Sequence, residues 1–155
     1  MHTPTQQIGS IQDALLGAWR LASFYTESVD GKRHYPLGPA AQGLLIYTEC
    51  GTMSAQIMAQ DRPLFKGSDQ LNGTPSEMTE NFKGCVSYFG RYEVDASSGF
   101  VLHHVEQSLF PNWEGAAQQR FISLEGDNLS IRTPPLTWGG EGTVGVLEWK
   151  REGAR

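Results

Sequence analysis

A chain of 155 residues, 39% hydrophobic and 19% charged, is expected to be one soluble domain spanning residues 1–155. A domain of about 150 residues buries roughly 70% of the surface its unfolded chain exposes, so its core needs no disulfide or metal staples. The net charge of −5, with Lys and Arg scattered, argues against nucleic-acid or anionic-membrane partners, and no apolar run reaches the roughly 20 residues that cross a bilayer.

The start, MHTPTQQIGSIQDALLG, lacks a charged n-region followed by an apolar h-region and does not read as a secretion signal. The two cysteines, Cys50 and Cys85, are expected to be reduced and mostly buried thiols in a cytoplasmic protein.

Eighteen glycines and eight prolines punctuate short apolar runs, the rhythm of an all-β chain. Ser10–Leu16 predicts a short helical turn with Ser10 as N-cap, stopped by Gly17. Ala18–Thr26 alternates as a strand, with Trp19, Leu21, Ser23 and Tyr25 on one face. Ser28–Gly31 is a turn, and the stretch to Pro39 a loop. Gln42–Thr48 and Thr52–Ala59 read as a hairpin, and Gln60–Gly73 as a long polar loop. Thr74–Lys83 predicts the one substantial helix: Thr74 at the N-cap, Pro75 at N1 and Glu77 at N3 form a capping-box spacing, with Gly84 as the stop. Strands follow at Val86–Val94, Phe100–Leu109, Gly115–Leu124, Leu129–Thr133 and Thr143–Arg151, with Pro134–Gly142 as a loop. Eight sequential antiparallel strands close into an up-and-down barrel, which removes exposed edges and leaves room for one small ligand.

Several stretches carry a family resemblance. Gly17-Ala18-Trp19 resembles the Gly-x-Trp signature of lipocalins, in which a basic residue of the last strand, here Lys150 or Arg151, packs on the Trp. LLGAWRLASF, GLLIYT, GTMSAQI, SYFGRYEVD and HHVEQSLFPNWEGAAQQR, in order from Leu15 to Arg151, resemble the bacterial and fungal lipocalin-like domain proteins. The block Ser108–Trp113 is the most specific of these. The resemblance implies an eight-stranded antiparallel barrel of the calycin or lipocalin-like type with an internal cavity, and a setting in secondary metabolism or aromatic catabolism. Some barrels of this general shape act as cyclases, isomerases or decarboxylases, and fold alone does not choose among them.

The stretch VLHHVEQSLFPNWEGAAQQR, residues 101–120, carries the densest polar chemistry. With the hairpin turning near Pro111, His104 lies opposite Gln118 and Leu102 opposite Arg120. With the preceding turn near Ser97, Tyr88 faces Glu106 and Tyr92 faces Leu102. Tyr88, Tyr92, His104, Glu106, Gln118 and Arg120 then share one face, which is expected to point inward, although Val101, Val105 and Phe121 argue for the other face as core. Glu106, His104, Arg120 and Tyr88 are the candidate catalytic groups: burial would raise the Glu106 pKa, Arg120 would lower it, and a tyrosine would steady developing negative charge. The alternative is a Glu–Arg pair that only holds two strands in register. Tyr92, Gln118, Leu102, Trp113 at the hairpin tip, Trp138 in the late loop, Tyr47 and Met53 are candidate ligand contacts. His103 and His104 point to opposite faces and cannot chelate one metal, and neither metal nor nucleotide motifs occur. The function expected is therefore a cofactor-free acid–base enzyme of isomerase, cyclase or lyase type. Its partner would be a small hydrophobic or aromatic carbonyl or phenolic compound. The alternative is a carrier or sensor of such a ligand, and a homodimer is left open.

Overall fold

The computed structural model describes residues 11–138 and 141–153; Ser10, the expected N-cap, lies outside them. Residues 11–15 are helical (α1). The strands are β1 (Gly17–Glu27), β2 (Arg33–His34), β3 (Gln42–Tyr47), β4 (Thr52–Met58), β5 (Cys85–Asp95), β6 (Phe100–Ser108), β7 (Ala117–Glu125), β8 (Asn128–Arg132), β9 (Leu136–Trp138) and β10 (Glu141–Arg151). Helix α2 (Pro75–Lys83) precedes β5, and a 3₁₀ turn, Pro111–Trp113, sits between β6 and β7.

Strand β1 pairs with β3 on one side and with β10 on the other, so the sheet closes on itself. Among the described residues this gives an eight-stranded antiparallel barrel with two short additions. The additions are β2 on β1 and β9 on β10. The expected loop Pro134–Gly142 therefore contains a strand, because Leu136–Trp138 pairs with the start of β10. Where sequence predicts a capping box, Thr74 Oγ1 accepts from the Glu77 backbone N–H (3.1 Å) and Glu77 accepts from that of Thr74 (2.8 Å). Helix α2 buries none of its residues and lies outside the wall.

The end of the barrel nearest α1 is sealed. Trp19 is fully buried and donates its indole N–H to the Leu15 carbonyl at 2.9 Å. Arg151, not Lys150, lies over the Trp19 ring at 4.2 Å and donates to the carbonyls of Leu16 and Ala14. A cation stacked on an indole face is favourable, and the guanidinium fork binds the last carbonyls of α1 at the same time. The β6–β7 connection and β9 lie at the other end.

Two bulges decide what faces inward. In β1 the register shifts between Leu21 and Ser23, so the expected single face through Ser23 and Tyr25 breaks. Phe24 and Thr26 are buried toward the interior, and Tyr25 is covered instead by Arg33 and Tyr35. Between β5 and β6, Phe89 pairs with Gln107 while Gly90 pairs with Val105, leaving Glu106 as the extra residue. Gly90 sits there because no side chain fits: a Cβ would lie 1.9 Å from the His104 carbonyl oxygen. The thiols are free, but Cys50 is exposed and Cys85 only half-buried, so the expectation of mostly buried cysteines does not hold.

Gly90→Ala should lower stability by about 1–3 kcal/mol, since the new methyl meets backbone rather than a flexible side chain. A urea midpoint unchanged from that of the parent protein would contradict this reading of the bulge.

Candidate functional site

The interior of the barrel holds a cavity of about 70 Å³. Phe24, Leu45, Ile57, Ile131, Leu147 and Trp149 supply its apolar walls, and Trp113 and Trp138 stand at the end away from α1. The 3₁₀ turn folds Trp113 back over the barrel, edge-on to Tyr88 with ring centres 5.9 Å apart. Trp138 meets Phe24 edge-on at 6.0 Å.

The polar groups inside differ from those expected by one residue. In β6, Val101, His103 and Val105 are buried, while His104 and Glu106 are outside. His104 pairs with Glu93 on the outer surface at 2.8 Å. Glu106 lies 3.9 Å from Arg91, with both side chains more than half exposed. The inward placement of His104 and Glu106 is thus corrected, and Leu102, on their face, leaves the site with them. The physical reason is the pairing at both hairpins. His103, not His104, stands opposite Gln118, and Tyr92 stands opposite His103 rather than Leu102. In β5 and β7 the inward faces carry Tyr88 and Arg120, and both line the cavity. Tyr47, Tyr92 and Met53 are buried in the core beside it, and Gln118 is half-buried.

His103 is the centre of the polar cluster. It is 2% exposed, with the Tyr47 hydroxyl 2.7 Å from Nε2 and the Tyr88 hydroxyl 2.8 Å from Nδ1. Burial, then the Arg120 charge, then His104 push its pKa down from 6.5 to about 3, so the ring is neutral at physiological pH. A neutral imidazole has one N–H. One tyrosine therefore donates to the ring and the other accepts from it. The accepting tyrosine keeps its own O–H for another partner. If the proton sits on Nδ1, that tyrosine is Tyr88, the one on the cavity wall. Burial raises the pKa of both phenols, and Arg120 partly offsets this in each.

Two further groups have no equal inside. Arg120 is held by the Gln118 side chain (2.6 Å) and the Gln119 carbonyl (2.9 Å). Among the described residues it makes no ion pair, and no carboxylate lines the cavity. Trp149, 2% exposed, has its indole N–H buried with no hydrogen-bond partner among the described residues. An unmatched buried donor costs about 1–3 kcal/mol. Sequence reasoning missed His103 and Trp149. The signal for His103 was present, because Val101-x-His103-x-Val105 places it in the apolar register of its strand.

The imidazole fixes an acid limb of stability. Folding depresses the His103 pKa, so below about pH 6.5 the unfolded chain takes up a proton that the folded chain refuses. This contribution is fully present above pH 6.5 and is lost as pH falls toward 3, by at most about 1.4 kcal/mol per pH unit. His103→Phe should be less stable at pH 7, because two tyrosine hydroxyls lose their partner. It should also lose less on acidification than the parent protein. Urea midpoints at pH 7 and pH 4.5 test both; an equal drop in the two proteins would show that His103 is not the group concerned.

The lipocalin-like domain family matches this chain over residues 16–152. A 4'-hydroxy-3'-methoxypropiophenone carrier protein of Aspergillus oryzae is 34% identical over 106 residues, covering 64% of this chain and 96% of that protein.

Proposed function

The chain belongs to the lipocalin-like domain family, and on that premise we propose that it is a non-catalytic carrier of a small aromatic ketone or phenol held inside the barrel. The observation that carries this reading is the state of His103. A base suited to catalysis near neutral pH has a pKa near that pH. A buried imidazole titrating at about 3, clamped by two phenols whose pKa values are themselves raised, is a poor proton carrier. Glu106, the expected catalytic carboxylate, is outside with Arg91. What remains within is a set of hydrogen-bond donors amid aromatic and aliphatic walls, the usual make-up of a binding pocket. The relative named as an aryl-ketone carrier supports the same ligand class.

The Trp149 N–H supplies a donor for a ketone or ether oxygen, and the aromatic walls take up the ring. A cavity of about 70 Å³ is small for such a molecule; benzene occupies an engineered cavity of about 150 Å³. Entry therefore requires Trp113 or Trp138 to swing outward, and tryptophan emission should change on binding.

Incubation with 4'-hydroxy-3'-methoxypropiophenone should give saturable quenching of tryptophan emission, with the compound recovered unchanged by chromatography. Steady conversion into an isomer or cleavage product would overturn the carrier reading in favour of an isomerase, cyclase or lyase. Trp149→Phe should weaken binding of the ketone about tenfold, one lost hydrogen bond to a buried donor. It should leave the matching alkylbenzene nearly unaffected. Equal losses for both compounds would assign Trp149 to packing alone.

A further inference from the structure

We propose that the cavity takes its phenolic ligand as the phenolate, with the ligand oxygen seated between the Arg120 guanidinium and the Tyr88 hydroxyl. The inference rests on the carrier reading and adds to it the ionisation state and orientation of the bound molecule.

The charge inventory of the interior carries the argument. Taken strand by strand, the titratable or charged groups around the cluster are Tyr47 from β3, Tyr88 and Tyr92 from β5, His103 from β6 and Arg120 from β7. Strands β1, β4, β8 and β10 contribute Phe24, Thr26, Ala55, Ile57, Ile131 and Trp149 among their lining residues, none of them ionised. Among the described residues, the cavity lining thus holds one permanent cation and no anion. A half-buried guanidinium normally finds a carboxylate, because desolvating a charge is costly unless it is paired. Arg120 gives N–H donors to Gln118 and Gln119 and lies within hydrogen-bonding reach of the Tyr88 hydroxyl, which leaves further donors of its five for a ligand. The two glutamine acceptors are neutral amide oxygens, so they orient the guanidinium without cancelling its charge.

An oxygen placed beside Arg120 also meets Tyr88. With the His103 proton on Nδ1, Tyr88 accepts from the ring and turns its own O–H to the ligand. His103 then passes polarisation along the chain from Tyr47, whose hydroxyl donates to Nε2. An oxyanion accepts from charged and neutral donors more strongly than a neutral phenol does. The bound phenol therefore gives up its proton to solvent at a lower pH than the free one. An opposite charge within about 4–6 Å lowers an acidic pKa by one to three pH units. The desolvation inside the barrel opposes part of this, and a net fall of about one pH unit is expected.

The probe is para-hydroxypropiophenone, whose phenolate absorbs to the red of the phenol, with its O-methyl ether as the form that cannot ionise. Absorbance titration of the saturated complex should place the ionisation midpoint about one pH unit below that of the free compound. Affinity for the phenol should rise about tenfold as pH climbs between the two midpoints, while affinity for the ether stays flat. Arg120→Met should abolish the displacement and still bind the ether, and Arg120→Lys should restore part of it. A bound phenol that titrates at or above the free midpoint, while the ether binds, overturns the phenolate assignment and leaves the carrier standing. A displacement that survives in Arg120→Met overturns the role of Arg120. Failure of both phenol and ether to bind overturns the carrier reading and this inference together.

Discussion

The pairing of β1 with β10 is the constraint from which the rest follows. Eight residues of β1, from Trp19 to Glu27, find partners in β10. Without that seam the sheet would have two long edges and one buried face at most. With it, every strand acquires an inside, and the inside is small enough that each polar group must be matched or left orphaned. The seam is fastened at the α1 end by Trp19 and Arg151, which join the first strand, the last strand and the helix through one stack and three hydrogen bonds. Ligand access is thereby confined to the opposite end, where the connections carrying Trp113 and Trp138 lie.

Closure also explains the form of the polar cluster. A lone histidine enclosed by Val101, Val105 and aromatic rings has to be neutral, and has to place both ring nitrogens against partners. Tyr47 and Tyr88, from strands on either side of β4, provide them. Tyr92, packed on Tyr47 with ring centres 4.7 Å apart, turns its hydroxyl away to the Thr48 carbonyl. His103 and Tyr88 themselves border the cavity, where Arg120 and Trp149 also keep donors unused.

Much of the architecture was legible in the sequence. Period-2 alternation, turn residues and the Thr74–Glu77 capping box located the main strands and α2, because those signals are local. The Gly-x-Trp pattern and the Ser108–Trp113 block pointed to the barrel family. The site was only half legible, and the reason is register. Parity along a strand can be read from sequence: Tyr88 and Tyr92 share a face, as do Gln118 and Arg120. Which parity of β6 faces the same way depends on the turns that join it to β5 and β7. A one-residue change at each turn exchanges His103 for His104. The 3₁₀ turn at Pro111–Trp113 and the bulge at Glu106 are three-dimensional solutions to closing the barrel, and a count of residues between strands does not register them. The apolar company of His103 was the better guide, since Val101 and Val105 have a place only inside.

That exchange changes the chemistry more than any other single feature. Had β6 faced the other way, a carboxylate and an imidazole would have shared a low-dielectric chamber with Arg120, and proton transfer would have been the natural reading. In the observed register both ionisable neighbours are spent on the outer surface, Glu106 near Arg91 and His104 with Glu93. Among the described residues, the cavity lining pairs an imidazole that burial keeps neutral with a guanidinium that has no carboxylate beside it. Such a lining offers hydrogen-bond donors and a positive charge to an electron-rich oxygen, the feature on which the proposed carrier role rests.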